Sequence, residues 1–64
     1  MYKLIEELPI QNQKEFAEKI GISQEYLSKI QNKRLDCGKT TAYAITKAFD
    51  KDLEILDLFE RVEE

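Results

Sequence analysis

Gln13-Lys14-Glu15-Phe16-Ala17-Glu18-Lys19-Ile20-Gly21-Ile22-Ser23-Gln24-Glu25-Tyr26-Leu27-Ser28-Lys29-Ile30 is the stretch that decides the fold. Asn12, just before it, is a favoured helix N-cap, and Glu15 follows three residues later at the capping-box spacing. A helix therefore begins after Asn12. Gly21 ends it, because glycine takes the left-handed conformation without a Cβ clash. Ser23 then caps a second helix that runs to about Asn32-Lys33-Arg34. Only Gly21, Ile22 and Ser23 join the two, so the helices cross steeply, at roughly 90–120°, instead of lying antiparallel. A small side chain is needed where they meet, and Ala17 supplies it. The inward positions are apolar: Phe16, Ile20, Ile22, Leu27 and Ile30.

Helix signals also dominate outside this window. Pro9 stops a first helix, predicted over Tyr2 to Leu8, with Leu4, Ile5 and Leu8 on one face. Arg34 to Gly38 reads as a loop. A fourth helix is predicted over Thr40 to Phe49, burying Ala44, Ile45, Ala48 and Phe49. Asp50-Lys51-Asp52 makes a turn and offers an N-cap for a fifth helix, from Leu53 to about Val62. In that helix Ile55, Leu58, Phe59 and Val62 form the core stripe, while Leu53 and Leu56 fall outside it. The expectation is an all-α fold, five short helices in one compact domain over 1–64.

Composition narrows the function. The chain has 64 residues, one cysteine and no histidine. That excludes an internal disulfide, Cys/His zinc sites and histidine acid–base chemistry. No nucleophile–base pair or phosphate loop is present, so no enzyme, cofactor or small-molecule ligand is expected. Cys37 reads as a small packing residue. No apolar run approaches the ~18 residues of a membrane span, and the first residues do not form an export signal. A cytoplasmic location is the expectation. The net charge of -3 argues mildly against a nucleic-acid partner, but it is an average. Residues 11–47 carry net +3, and residues 48–64 carry net -5. The acid is concentrated at the tail.

The quoted stretch resembles the helix-turn-helix of the phage Cro and repressor family, also called the xenobiotic-response-element type. A weaker likeness continues through Thr41-Ala42-Tyr43-Ala44-Ile45-Thr46-Lys47-Ala48-Phe49, similar to that family's fourth helix. The resemblance implies a lambda-repressor-like fold and sequence-specific binding of double-stranded DNA, with the helix after Ser23 in the major groove. By resemblance, Gln24, Glu25, Ser28 and Lys29 fall where bases are read. Helical spacing agrees: at about 100° per residue they lie opposite Tyr26, Leu27 and Ile30. Gln pairs with adenine, Lys reaches guanine, Glu accepts from cytosine and Ser serves several bases. Gln24 and Lys29 are the leading candidates. Glu25 repels phosphates unless a cytosine amino group or a neighbouring cation offsets it.

Phosphate contacts are expected from Asn12 and Gln13, which open the first helix of the motif, and from Ser23. Asn32, Lys33 and Arg34 at the end of the recognition helix extend the set, as do Lys39 and Thr40 at the start of the next helix. The family commonly has glycine after the recognition helix. Here Asn32 is the residue able to take a left-handed cap. The usual mode is a homodimer on a palindromic operator, with half-sites about one turn apart. Leu53 and Leu56 are the candidate dimer contacts. The alternative reading is a protein-interaction module on the same scaffold, antirepressor- or antitoxin-like, suggested by the net acidity.

Overall fold

Local signals and observed elements agree in the centre of the chain and part company at its ends. The computed structural model describes residues 1–33 and 35–63, with the side chain of Lys33 left out. Its elements run β1 (Tyr2–Leu4), α1 (Gln13–Ile20), α2 (Gln24–Lys33), α3 (Lys39–Phe49), α4 (Ile55–Leu58) and β2 (Phe59–Arg61). The two strands pair antiparallel, with Tyr2 opposite Arg61, Lys3 opposite Glu60 and Leu4 opposite Phe59. The described fold is therefore four helices and a two-stranded sheet, not five helices.

Two predicted helices are corrected. Tyr2 to Leu8 is not helical: β1 takes its first half, and Leu8 enters the core from a loop. A helix there would lack the N-cap side chain and the C-cap glycine that hold the backbone ends of α1. Pairing with the far end of the chain satisfies those backbone groups instead. Leu4 and Leu8 are buried, as expected, but Ile5 turns outward. The predicted helix from Leu53 to Val62 is one turn, Ile55–Leu58, followed by β2. Its N-cap is Glu54, in a capping box with Asp57, and not the Asp50–Asp52 turn. The apolar stripe survives this change. Phe59 is fully buried, and Ile55, Leu58 and Val62 are half-buried.

The core joins Leu4, Leu8, Ala17, Leu27, Ile30, Cys37, Ala42, Ile45 and Phe59 from nearly every element. In α3 the buried side is Ala42, Ile45 and Thr46; the predicted Ala44, Ala48 and Phe49 are only half-buried. Thr46 is tolerated inside because its hydroxyl donates to the Ala42 carbonyl at 2.8 Å. Lys47 closes the end of α3. Its Nζ donates to the Leu53 carbonyl at 2.7 Å and the Lys51 carbonyl at 3.2 Å, and lies 5.7 Å from the centre of the Tyr43 ring. No helix among the described residues is long and apolar enough to cross a membrane.

Candidate nucleic-acid interface

The turn between α1 and α2 is fixed by a short chain of local bonds. Asn12 caps α1: its Oδ1 accepts from the Glu15 amide at 3.1 Å, and its Nδ2 donates to the Glu15 carboxylate at 3.4 Å. At the other end Gly21 has φ +80. The Gly21 amide donates to the Glu18 carbonyl at 3.2 Å and the Ile22 amide to the Ala17 carbonyl at 3.0 Å, the two bonds of a Schellman motif. Ser23 then caps α2, its Oγ accepting from the Tyr26 amide at 3.0 Å. Behind the turn Ala17 is buried, which lets the helices close on each other.

The inner face of α2 is fixed by Leu27 and Ile30, both fully buried, and by Gln31. Gln31 also has no exposed surface, although its side chain is polar. Its amide meets the backbone of Leu8 from both sides. The Leu8 N–H donates to Gln31 Oε1 at 2.7 Å, and Gln31 Nε2 donates to the Leu8 carbonyl at 3.2 Å. Helix α2 is thereby clamped to the loop after β1. Sequence reading passed over this residue. On the helical wheel Gln31 lies only about 40° from Leu27, so its position was visible and its polarity concealed it.

The outer face carries the predicted base-readers. Gln24, Glu25 and Lys29 are exposed and Ser28 is half-buried. Lys29 Nζ lies 3.8 Å from the Glu25 carboxylate, with both side chains largely in solvent. This is the neighbouring cation that offsets Glu25. So exposed a pair holds only weakly, by a few tenths of a kcal/mol, and opens readily to a ligand. Asn32 Nδ2 donates to Ser28 Oγ at 3.0 Å, leaving the serine hydroxyl proton free to be donated outward. Asn32 lies inside α2, not at a left-handed cap, because the helix continues to Lys33.

The phosphate candidates are spread around this helix. Asn12 sits at the start of α1, its side chain engaged in the cap, beside half-buried Gln13. Ser23 uses an oxygen lone pair for capping and keeps its proton to donate. The amides of Gln24 and Glu25 open α2 without an intrahelical acceptor, as at any helix start. Lys39 and Thr40 are exposed in the first turn of α3, whose N-cap Gly38 has no side chain to compete. Arg34 lies outside the described residues, as does the side chain of Lys33. Leu53 is half-buried, with its carbonyl held by Lys47, and Leu56 is 65% exposed. Among the described residues no group of three or more Cys, Asp or Glu is arranged to hold a metal ion.

Two capped helices joined only by Gly21, Ile22 and Ser23, with a polar face on the second, have the form of a helix-turn-helix DNA-binding domain. Comparison with protein families agrees: the Helix-turn-helix family model matches residues 12–56. The chain belongs to that family, in its Cro/C1-type branch, and so to the DNA-binding transcription regulators. No curated protein and no solved structure matches it.

Proposed function

We propose that this chain is a sequence-specific repressor of phage or mobile-element type, acting in the cytoplasm of a bacterial or phage-infected cell. It inserts α2 into the major groove and blocks transcription by occupying a palindromic operator as a homodimer. The observation that carries this reading is the contrast between the two faces of α2. Its inner side is fixed by Leu27, Ile30 and the Gln31–Leu8 clamp, while Gln24, Glu25, Ser28 and Lys29 stand outside it. Side chains on a rigid helix keep the geometry that base recognition demands.

In this reading Gln24 and Lys29 read bases, with Ser28 and Glu25 beside them. Asn12, Gln13, Ser23, Asn32, Lys33, Arg34, Lys39 and Thr40 hold the phosphates. The acidic tail lowers non-specific attraction, so affinity depends on base contacts and on pairing of two copies. The test is a selection of bound duplexes from a random pool, followed by titration at several salt concentrations. A recovered site with two-fold symmetry, bound well above random sequence, supports the proposal. Equal binding to all duplexes at low salt, by folded protein, overturns it.

A further inference from the structure

Gln24, Ser28 and Asn32 form a polar row on the outer side of α2, each one turn after the last. One side-chain bond runs along this row, and its direction matters. Asn32 Nδ2 donates to Ser28 Oγ at 3.0 Å. A serine hydroxyl has one proton and two lone pairs, and Asn32 takes up one lone pair. The usual acceptor for the proton of a helical serine is the carbonyl one turn earlier. Thr46 of α3 uses that acceptor, its hydroxyl donating to the Ala42 carbonyl. The Ser28 hydroxyl does not donate to the Gln24 carbonyl, nor to any other group among the described residues. Its proton is left for a partner outside the chain. Accepting one bond also strengthens the hydroxyl as a donor of the next.

We propose that Asn32 is a positioning residue that sets the polarity of Ser28. Ser28 then meets the base edge as a donor and selects an acceptor: N7 or O6 of guanine, N7 of adenine, or O4 of thymine. Cytosine is the base it rejects, because in the major groove cytosine offers only its N4 amino donor. The second lone pair of Ser28 would receive that amino group, but the serine proton would then be closed into the contact without an acceptor. An orphaned donor is the costly outcome. The neighbouring readers differ in kind. Charge fixes Glu25 as an acceptor and Lys29 as a donor, and Gln24 offers both. Ser28 takes its polarity from the next turn. Asn32 keeps a second Nδ2 proton, so this role is compatible with its phosphate contact.

The inference rests on the sequence-specific reading above and names the class of base at one position. Asn32→Asp inverts the arrangement. An exposed carboxylate is ionised at neutral pH and only accepts, so it takes the Ser28 proton. Both outward sites of Ser28 become lone pairs, and the cytosine amino group becomes the fitting partner.

Bound duplexes are selected from a random pool with the original chain, Asn32→Asp, Ser28→Ala and the double variant, each first shown to be folded by circular dichroism. Base preference is read at every position. Total affinity is not the readout, since the added negative charge weakens all duplexes alike. Ser28→Ala marks the position that Ser28 reads, as the one whose preference it removes. There the original chain should disfavour cytosine by about fivefold or more. Asn32→Asp should shift the preference towards cytosine, and should leave that position unchanged once Ser28 is alanine. A second measurement needs no DNA: in the free protein the Asn32 side-chain amide should show nuclear Overhauser contacts to the Ser28 β-protons and exchange faster in Ser28→Ala. Four results overturn the proposal and leave sequence-specific binding standing: no position altered by Ser28→Ala, a Ser28 position that prefers cytosine in the original chain, a preference untouched by Asn32→Asp, or absence of the Asn32–Ser28 contact. A pool with no preferred base at any position overturns both.

Discussion

Replacing Gln31 tests whether one buried amide holds α2 to the N-terminal segment. Gln31→Leu keeps the size and deletes both polar contacts with Leu8. The Leu8 carbonyl retains a second donor, the Ile10 amide at 2.8 Å, so of the two Leu8 groups it is the N–H that is left without its acceptor. An orphaned buried donor costs about 1–3 kcal/mol, partly offset by the added apolar surface. Against a total of about 3–10 kcal/mol for a domain of this length, that is a large fraction. Gln31→Glu is the sharper variant. A protonated glutamic acid reproduces the pattern, its C=O accepting from Leu8 N–H and its O–H donating to the Leu8 carbonyl. An ionised one turns a negative oxygen on that carbonyl in a site without solvent. Its folded-state pKa therefore rises above the unfolded value of about 4.3. Between those two values the folded state holds a proton that the unfolded state has released, so stability falls as pH rises. The slope is up to about 1.4 kcal/mol per pH unit, and the loss levels off above the folded pKa. Urea unfolding followed by circular dichroism, with the unmodified chain subtracted at each pH, isolates this term. A Gln31→Glu deficit that is the same in acid and at neutral pH would refute the reasoning, as would a Gln31→Leu chain as stable as the original.

Other expectations are simpler. Gly21→Ala should cost about 1–2 kcal/mol from backbone conformation alone, since an added Cβ at φ +80 meets nothing within 4 Å. Gly38→Ser, at φ -73 and at the uncapped start of α3, should instead stabilise by about 0.5–1 kcal/mol; thermal unfolding separates the two. Cys37 is buried, and burial, with Asp36 nearby, pushes its thiol up to about 11. Folded protein should therefore react with an aromatic disulfide reagent only at the rate of opening, and rapidly once denatured; prompt reaction of the native chain contradicts this. On DNA, Gln24→Ala should cost roughly 1–3 kcal/mol at one base pair and relax specificity there. Lys39→Ala should weaken all duplexes alike and lower the salt slope by about one. Uniform loss in both variants would remove Gln24 from base reading.

The two halves of the problem differed in how far they could be read along the chain. Asn12, Glu15, Gly21 and Ser23 act within four residues of themselves, through caps and a left-handed turn. A local bond leaves a local trace, so α1, the turn and α2 were legible from the residues, and with them the outer face of Gln24, Glu25, Ser28 and Lys29. The overall acidity mattered less than its distribution, which is also a property of the sequence. The ends of the chain obeyed a different logic. Strands of three residues are too short to show alternation, and their partners lie at the opposite terminus. Leu4 and Phe59 looked like helix stripes because apolar residues mark burial without saying which backbone carries them. Gln31 acquires its role only because Leu8 arrives beside it, and Leu4 meets Phe59 only because the two ends of the chain pair. Helix caps and periodicity are written in neighbouring residues. Pairings between distant segments exist only once the chain has closed on itself.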